Sequence, residues 1–186
     1  DAEYVWVIDP IDGTRNFANH IGVWCSMIGI TKNGEPHIGA IYDPNNDELF
    51  FAEAGKGSFM NGERIRVRDY DNLEHCYLVF SNGMRDYCGA KNYERYLTWH
   101  NNAVKQGNGI WFHNYGTMLP VCHIAAGRMD AFVNCTGKYH DHVAACVIAT
   151  EAGALWTNSK GKKWQRDERD VVRANPKLHK KLLELF

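Results

Sequence analysis

Several features that mark specialised proteins are missing from this chain of 186 residues. No apolar run is long enough to span a bilayer, and no charged–apolar–small succession of the signal-peptide kind opens the sequence. A cytoplasmic protein with no membrane partner is therefore expected. No stripe dense in lysine or arginine is present and the formal charge is −1, so nucleic acid is not an expected partner. A glycine-rich phosphate loop of the P-loop kind is absent. So are internal repeats, linkers and low-complexity tracts, and residues 1–186 are read as a single domain. Apolar residues at 45% and charged residues at 23% exclude the disordered and fibrous classes. The six cysteines (Cys25, Cys76, Cys88, Cys122, Cys135 and Cys146) include no CxxC pair. Most lie in apolar stretches such as "VCHIAAG", so buried free thiols in a reducing compartment are expected, rather than disulfides or a zinc site.

What is present divides into two halves. Tyr4–Ile8 reads as a buried apolar strand. The stretch "GVWCSMIGITKNGEPHIGAIYDPNNDELFFAEAG" then reads as three strands with turns at residues 32–34 and 43–46, and "GKGSFMNGERIRV" adds a turn and a strand. This is an antiparallel meander. From His75 onward strands and helices alternate. "HCYLVFS", "GIWFH", "MDAFVN", "ALWT" and "DVVRAN" read as strands. Helices are expected over "AKNYERYLTWHNNAVKQ", with an apolar face near Tyr93, Tyr96, Leu97 and Val104, over "GTMLPVCHIAAGR", from Asp141 to about Gly153, and from Pro176. The pattern implies an α/β layered sandwich.

The chemistry concentrates in "WVIDPIDGTRNF". Pro10 cannot donate to a sheet ladder, so the strand is expected to turn there and direct Asp9 and Asp12 toward one point, with the Ile11 carbonyl as a further oxygen. Magnesium takes such oxygen donors and keeps several waters. Gly13 permits close backbone approach, and the Thr14 hydroxyl can orient a water or a phosphate. An ordinary Asx-type turn uses the same residues. The full D-P-I-D-G-T hexapeptide at a strand end is more particular and favours the metal reading. Asp141, in "KYHDHVAACVIATEAGA", stands at a helix start, where capping and metal ligation predict the same residue.

Together "DPIDGT" and the Asp141 segment resemble the two signatures of the inositol monophosphatase family of magnesium-dependent phosphomonoesterases. The meander ending in Asn61-Gly62, "YGTMLPVCHIAAGRMDAFV" and "ANPKLHKKLLEL" are similar to it as well, so the resemblance runs from about Tyr4 to Leu185. It implies two or three Mg2+ ions held by Asp9, Ile11, Asp12 and Asp141, with Asp9 bridging. It further implies phosphate binding by Gly13 and Thr14, water as nucleophile, a homodimer, and a small phosphorylated substrate. Candidates are inositol 1-phosphate, fructose 1,6-bisphosphate, histidinol phosphate and 3′-phosphoadenosine 5′-phosphate.

Some family features are unmatched. A Gly-Glu-Glu glutamate and an upstream aspartate find no counterpart before Asp9, and Asp1 enters strand-like sequence directly. An N-terminally truncated piece lacking the first helices is expected. A non-catalytic remnant that binds metal or phosphate, or serves as a scaffold, is the alternative. Asn134 occupies the place of a substrate-contacting glutamate, His140 that of a tryptophan, and His113 that of an arginine. His140 and His142 are open to roles as ligands, proton relays or plain surface groups. Gly116, Thr117 and Met118 precede a helix, where backbone amides could face substrate or simply cap it. Glu151 reads as structural, Trp99 and Trp111 as core, and "GKKWQRDERD" as a solvated loop.

Overall fold

A computed structural model describes residues 2–81, 85–166 and 168–186. The first half comprises β1 (Tyr4–Asp12), α1 (Thr14–Ala18), β2 (Cys25–Lys32), β3 (Glu35–Asp43), β4 (Glu48–Glu53), β5 (Gly57–Met60) and β6 (Glu63–Ile65). The second comprises β7 (Tyr77–Ser81), α2 (Arg85–Cys88), α3 (Ala90–Gln106), β8 (Trp111–His113), α4 (Leu119–Ala125), β9 (Ala131–Asn134), α5 (Tyr139–Glu151), β10 (Leu155–Thr157), β11 (Val171–Ala174) and α6 (Pro176–Leu183).

Strands β1 to β6 form one antiparallel sheet in chain order, the expected meander with one hairpin more. The second sheet runs β10-β11-β9-β7-β8, with β7 parallel to both β8 and β9 and the β11 pairings antiparallel. Helical crossovers join its parallel strands, as such connections require. Helices α4 and α5 fill the space between the sheets, where Met27, Ile41, Phe50, Val79, Ile124, Phe132 and Ile148 form one core. A second core, built on Leu78, Val133, Val172, Trp99 and Leu178, seals the far face of the second sheet under α3 and α6. The period-2 alternation explains the split: Val79 and Phe132 enter the first core while Leu78 and Val133 enter the second. The α/β layered sandwich is as expected.

Helix α5 sits unusually close to the first sheet. Gly29 and Gly39 are cross-strand partners. A Cβ on Gly39 would lie 2.3 Å from the Ala144 carbonyl oxygen, and one on Gly29 would lie 2.6 Å from Val143 Cγ1. Only two adjacent glycines leave room for the helix backbone there.

Four expectations need correction. The first strand is an edge strand with an exposed outer face: Trp6 is 63% accessible, and Ile8, Ile28, Tyr42, Leu49 and Phe51 are exposed beside it. Its apolar character reads as burial in sequence, but as an edge strand it buries none of its residues, and Val5 and Trp6, on opposite faces, are both exposed. On α3 the buried residues are Tyr96, Trp99 and Ala103, while Val104 is 53% exposed; the stripe is rotated by one position. Trp99 is core, its indole N–H donating to the Leu182 carbonyl at 2.8 Å, but Trp111 is exposed on the edge strand β8 and stacks on Tyr77. Finally, Cys88 and Cys135 form a disulfide with their Cα atoms 5.4 Å apart, while Cys25, Cys76, Cys122 and Cys146 are free thiols. The pairing joins α2 to the end of β9 across 47 residues, a proximity that only the tertiary fold creates. Glu151 is structural as expected, accepting from the Gly55 and Gly57 amides at 2.8 and 2.7 Å.

Gly39→Ala should lower stability by about 1–3 kcal/mol, because the methyl group meets fixed helix backbone rather than a flexible side chain. Thermal unfolding should register a drop of several degrees. An unchanged midpoint would mean that the helix is not held by this contact.

Candidate active site

The strand does not stop at Pro10. It continues to Asp12 through a bulge, with Asp9 opposite Met27 and Asp12 opposite Cys25, so three steps on β1 face two on β2. A bulge of this kind re-aims side chains at the end of a strand. The Pro10 carbonyl accepts from the Ser26 hydroxyl at 2.8 Å. Next comes Gly13 at φ 88°, where a Cβ would crowd the Val23 carbonyl at 3.1 Å and Thr117 Cβ at 3.2 Å. Glycine is required there on both counts. The short helix α1 follows. Its Asn16 amide donates to the Val23 and Tyr115 carbonyls, both at 2.7 Å, and so ties the loop after β8 to the acidic corner.

Asp12 is the most supported acid of the site. Thr117 Oγ1 donates to its Oδ2 at 2.5 Å, the Met118 backbone N–H donates to the same oxygen, and the Cys25 thiol lies 3.5 Å away. Thr117 and Met118 therefore act first as supports for this carboxylate. Every one of these bonds ends on Oδ2, and among the described residues Oδ1 accepts none. Burial raises the Asp12 pKa from 3.8 to about 6; the Met118 and Thr117 donors oppose the rise, and the Asp141 and Asp9 charges add to it.

Asp141 is the third residue of α5, and its Oδ2 accepts from the Lys138 backbone N–H at 2.5 Å. Capping and a place in the cleft coexist, one oxygen serving each. Its carboxyl is also pushed up, chiefly by burial and against the Lys138 hydrogen bond. Asp9, Ile11, Asp12, Gly13, Thr14, Gly116 and Asp141 line one open cleft of about 640 Å³, joined by Arg15, Tyr87, Asn114, Lys138 and His140. A smaller hollow beside it is lined by Asp12, Thr117, Met118, Asn134, Thr136 and Asp141. Asn134 is buried there, its Nδ2 donating to the Thr136 carbonyl at 2.5 Å and its Oδ1 without a partner among the described residues.

The two histidines beside Asp141 diverge. His140 lines the cleft, whereas His142 is buried and holds Arg173 Nη2 at 3.1 Å from its Nδ1. Arg173 itself lies between Phe132 and Trp156, its guanidinium carbon 4.7 and 4.0 Å from the ring centres. Burial pulls the arginine down to about 9 and the His142 imidazole well below its usual value. Tyr87 and Asn114 carry no motif signal and emerge only with the fold. A carboxylate-rich donor set with free oxygens fits divalent cations of the oxygen-seeking kind.

The sequence profile of the inositol monophosphatase family matches residues 1–186. The chain is 32% identical to an inositol-1-monophosphatase of Bacillus subtilis over 98% of its own length and 67% of that protein. It is 31% identical to a fructose-1,6-bisphosphatase/inositol-1-monophosphatase of Aquifex aeolicus, covering 99% and 67% respectively. It thus spans about two thirds of the length of both relatives. The solved structure of an inositol monophosphatase from Anabaena superposes with a TM-score of 0.89 at 30% identity, over all of this chain and 72% of that one.

A carboxyl held at about 6 gives the cation-free protein a defined pH behaviour. The folded state keeps a proton that the unfolded chain releases, so this group's contribution to stability declines as pH rises from about 4 to about 6. A cation held by Asp12 would need the carboxylate, so its binding would strengthen over the same interval. The melting-temperature gain from added Mg2+ should be small at about pH 5 and grow above about pH 6. A gain that is flat across this range would remove Asp12 from the cation site.

Proposed function

The chain belongs to the inositol monophosphatase family, and on that premise we propose that it hydrolyses phosphate monoesters of a small polyol, sugar or alcohol with the aid of divalent cations, Mg2+ first among them. One observation carries the reading. Asp9 and Asp12, from a strand end, meet Asp141, from a helix start far along the chain, on a single cleft that also exposes Thr14.

In this reading Asp9, the Ile11 carbonyl, Asp12 and Asp141 would hold two or three cations. Bound there, the cations supply positive charge against the phosphate and the attacking and leaving oxygens. The residues of the chain do the rest. The Gly13 and Thr14 amides receive phosphate oxygens, and the Thr14 hydroxyl orients the attacking water. Thr117 and Met118 fix the Asp12 carboxylate so that its free oxygen keeps a constant direction. Gly116 and Asn134 border the space for the alcohol part of the substrate, where an uncharged amide selects hydroxyl groups by hydrogen bonding rather than by charge. A homodimer acting in the cytoplasm completes the proposal. The names of the relatives favour inositol 1-phosphate and fructose 1,6-bisphosphate as the first esters to try.

Phosphate release from a panel of these esters, with Mg2+ and with chelator, tests the proposal. Asp9→Asn should lower turnover on the order of a hundredfold or more, since it removes charge from the cation site. Retained turnover would overturn the assignment, and cation binding without release from any ester would favour a non-catalytic protein. Asn134→Ala should change the ranking of the esters rather than the activity on all of them. A uniform effect would take Asn134 away from the substrate.

A further inference from the structure

We infer that His140 is a nitrogen ligand of the cation site, so that this protein binds imidazole-seeking divalent metals of the Co2+ and Zn2+ kind more tightly than an all-oxygen site would. The inference rests on the proposed cation-dependent reading of the cleft and specifies which metals that cleft selects. Among the described residues, Asp9, His140 and Asp141 form the one group of three or more such side chains whose ligand atoms all lie within 4.8 Å of one another.

The group is compact enough for a coordination shell. His140 Nε2 lies 3.3 Å from Asp141 Oδ1. This is longer than an ordinary N–H···O hydrogen bond, which falls at about 2.7–3.2 Å. Two ligands bound at about 2.0–2.2 Å and at right angles about one metal lie about 3 Å apart, and ligands on opposite sides lie a little over 4 Å apart. The 3.3 Å separation is close to the first spacing, and the 4.8 Å bound on the whole group admits both. Asp141 Oδ2 is already occupied by the Lys138 N–H, so Oδ1 is the oxygen that turns toward His140. His140 is partly exposed and lines the open cleft, so a metal reaches it without any rearrangement of the core.

The chemistry of the donor follows. An imidazole suits zinc and its first-row neighbours, whereas magnesium prefers oxygen and keeps its waters. Adding one nitrogen to a carboxylate pair therefore shifts selectivity toward the former while leaving magnesium nearly indifferent, because water takes the same position. Sequence position alone does not separate His140 from His142. The fold does, by burying His142 against Arg173 on the other side of the helix start.

Isothermal titration of the full chain with Co2+, Zn2+ and Mg2+ tests this, together with the visible absorption of the Co2+ form, which responds to nitrogen ligation. His140→Ala should weaken Co2+ and Zn2+ binding by about tenfold or more. It should change Mg2+ affinity by less than about threefold and shift the Co2+ bands. His140→Gln, which keeps a hydrogen-bond donor beside Asp141 but not the imidazole, should behave like the alanine variant. Equal losses for all three metals, no loss, or full rescue by glutamine would overturn the ligand role and leave His140 as a neighbour of Asp141. Failure of the parent protein to bind any of the cations would instead overturn the proposed function.

Discussion

The contact on which the site depends is that between α5 and the first sheet. Asp141 belongs to the helix, while Asp9 and Asp12 belong to the sheet. Their separation is therefore set by how closely the two elements lie. Gly29 and Gly39 form a smooth strip across two neighbouring strands, into which Val143 and Ala144 settle, two and three residues after Asp141. Interiors pack at nearly crystalline density, so a helix held by backbone contact has little freedom to slide. The first turn of α5 inherits that rigidity, and so does the carboxylate it carries.

Around this frame the protein gathers acidic groups that burial disfavours in their charged form. Three carboxylates share one cleft, and burial raises the carboxyls of Asp12 and Asp141. A carboxylate denied water needs donors or cations. Asp12 receives donors on one oxygen from Thr117 and Met118, and Asp141 receives one from Lys138. Arg15 and Lys138 line the same cleft, but among the described residues no lysine or arginine side chain is hydrogen-bonded to the three carboxylates. The buried cation Arg173 lies behind the helix start and is engaged by His142 and two aromatic rings instead. Under the proposed function, cations would supply the positive charge that these carboxylates lack.

Much of this was legible in the sequence, because the relevant signals are local. Period-2 alternation with Asn-Gly and Asp-Pro turns marks the meander, and α3 spans the same residues as its sequence pattern, Ala90–Gln106. The hexapeptide Asp9–Thr14 announces the site for the same reason: each residue type answers a backbone or ligand requirement within a few positions. What escaped was whatever depends on long-range proximity. Nothing in the spacing of Thr117 and Asp12 foretells their hydrogen bond, and Asn16 carries no sign that it joins the Val23 and Tyr115 carbonyls. The strand Tyr4–Asp12 looks buried because both of its faces are apolar, yet it forms the edge of its sheet. The proline within it was read as a turn, where the chain instead absorbs it as a bulge with the ladder resuming at Asp12.

The covalent link between Cys88 and Cys135 has a practical side. Tyr87, on the wall of the cleft, adjoins one half of the bridge, and Asn134, in the neighbouring hollow, adjoins the other. The spacing between these two surfaces is thereby tied to the oxidation state of a sulfur pair. The bridge thus fastens the two walls covalently at a point that neither sheet register nor helix packing joins.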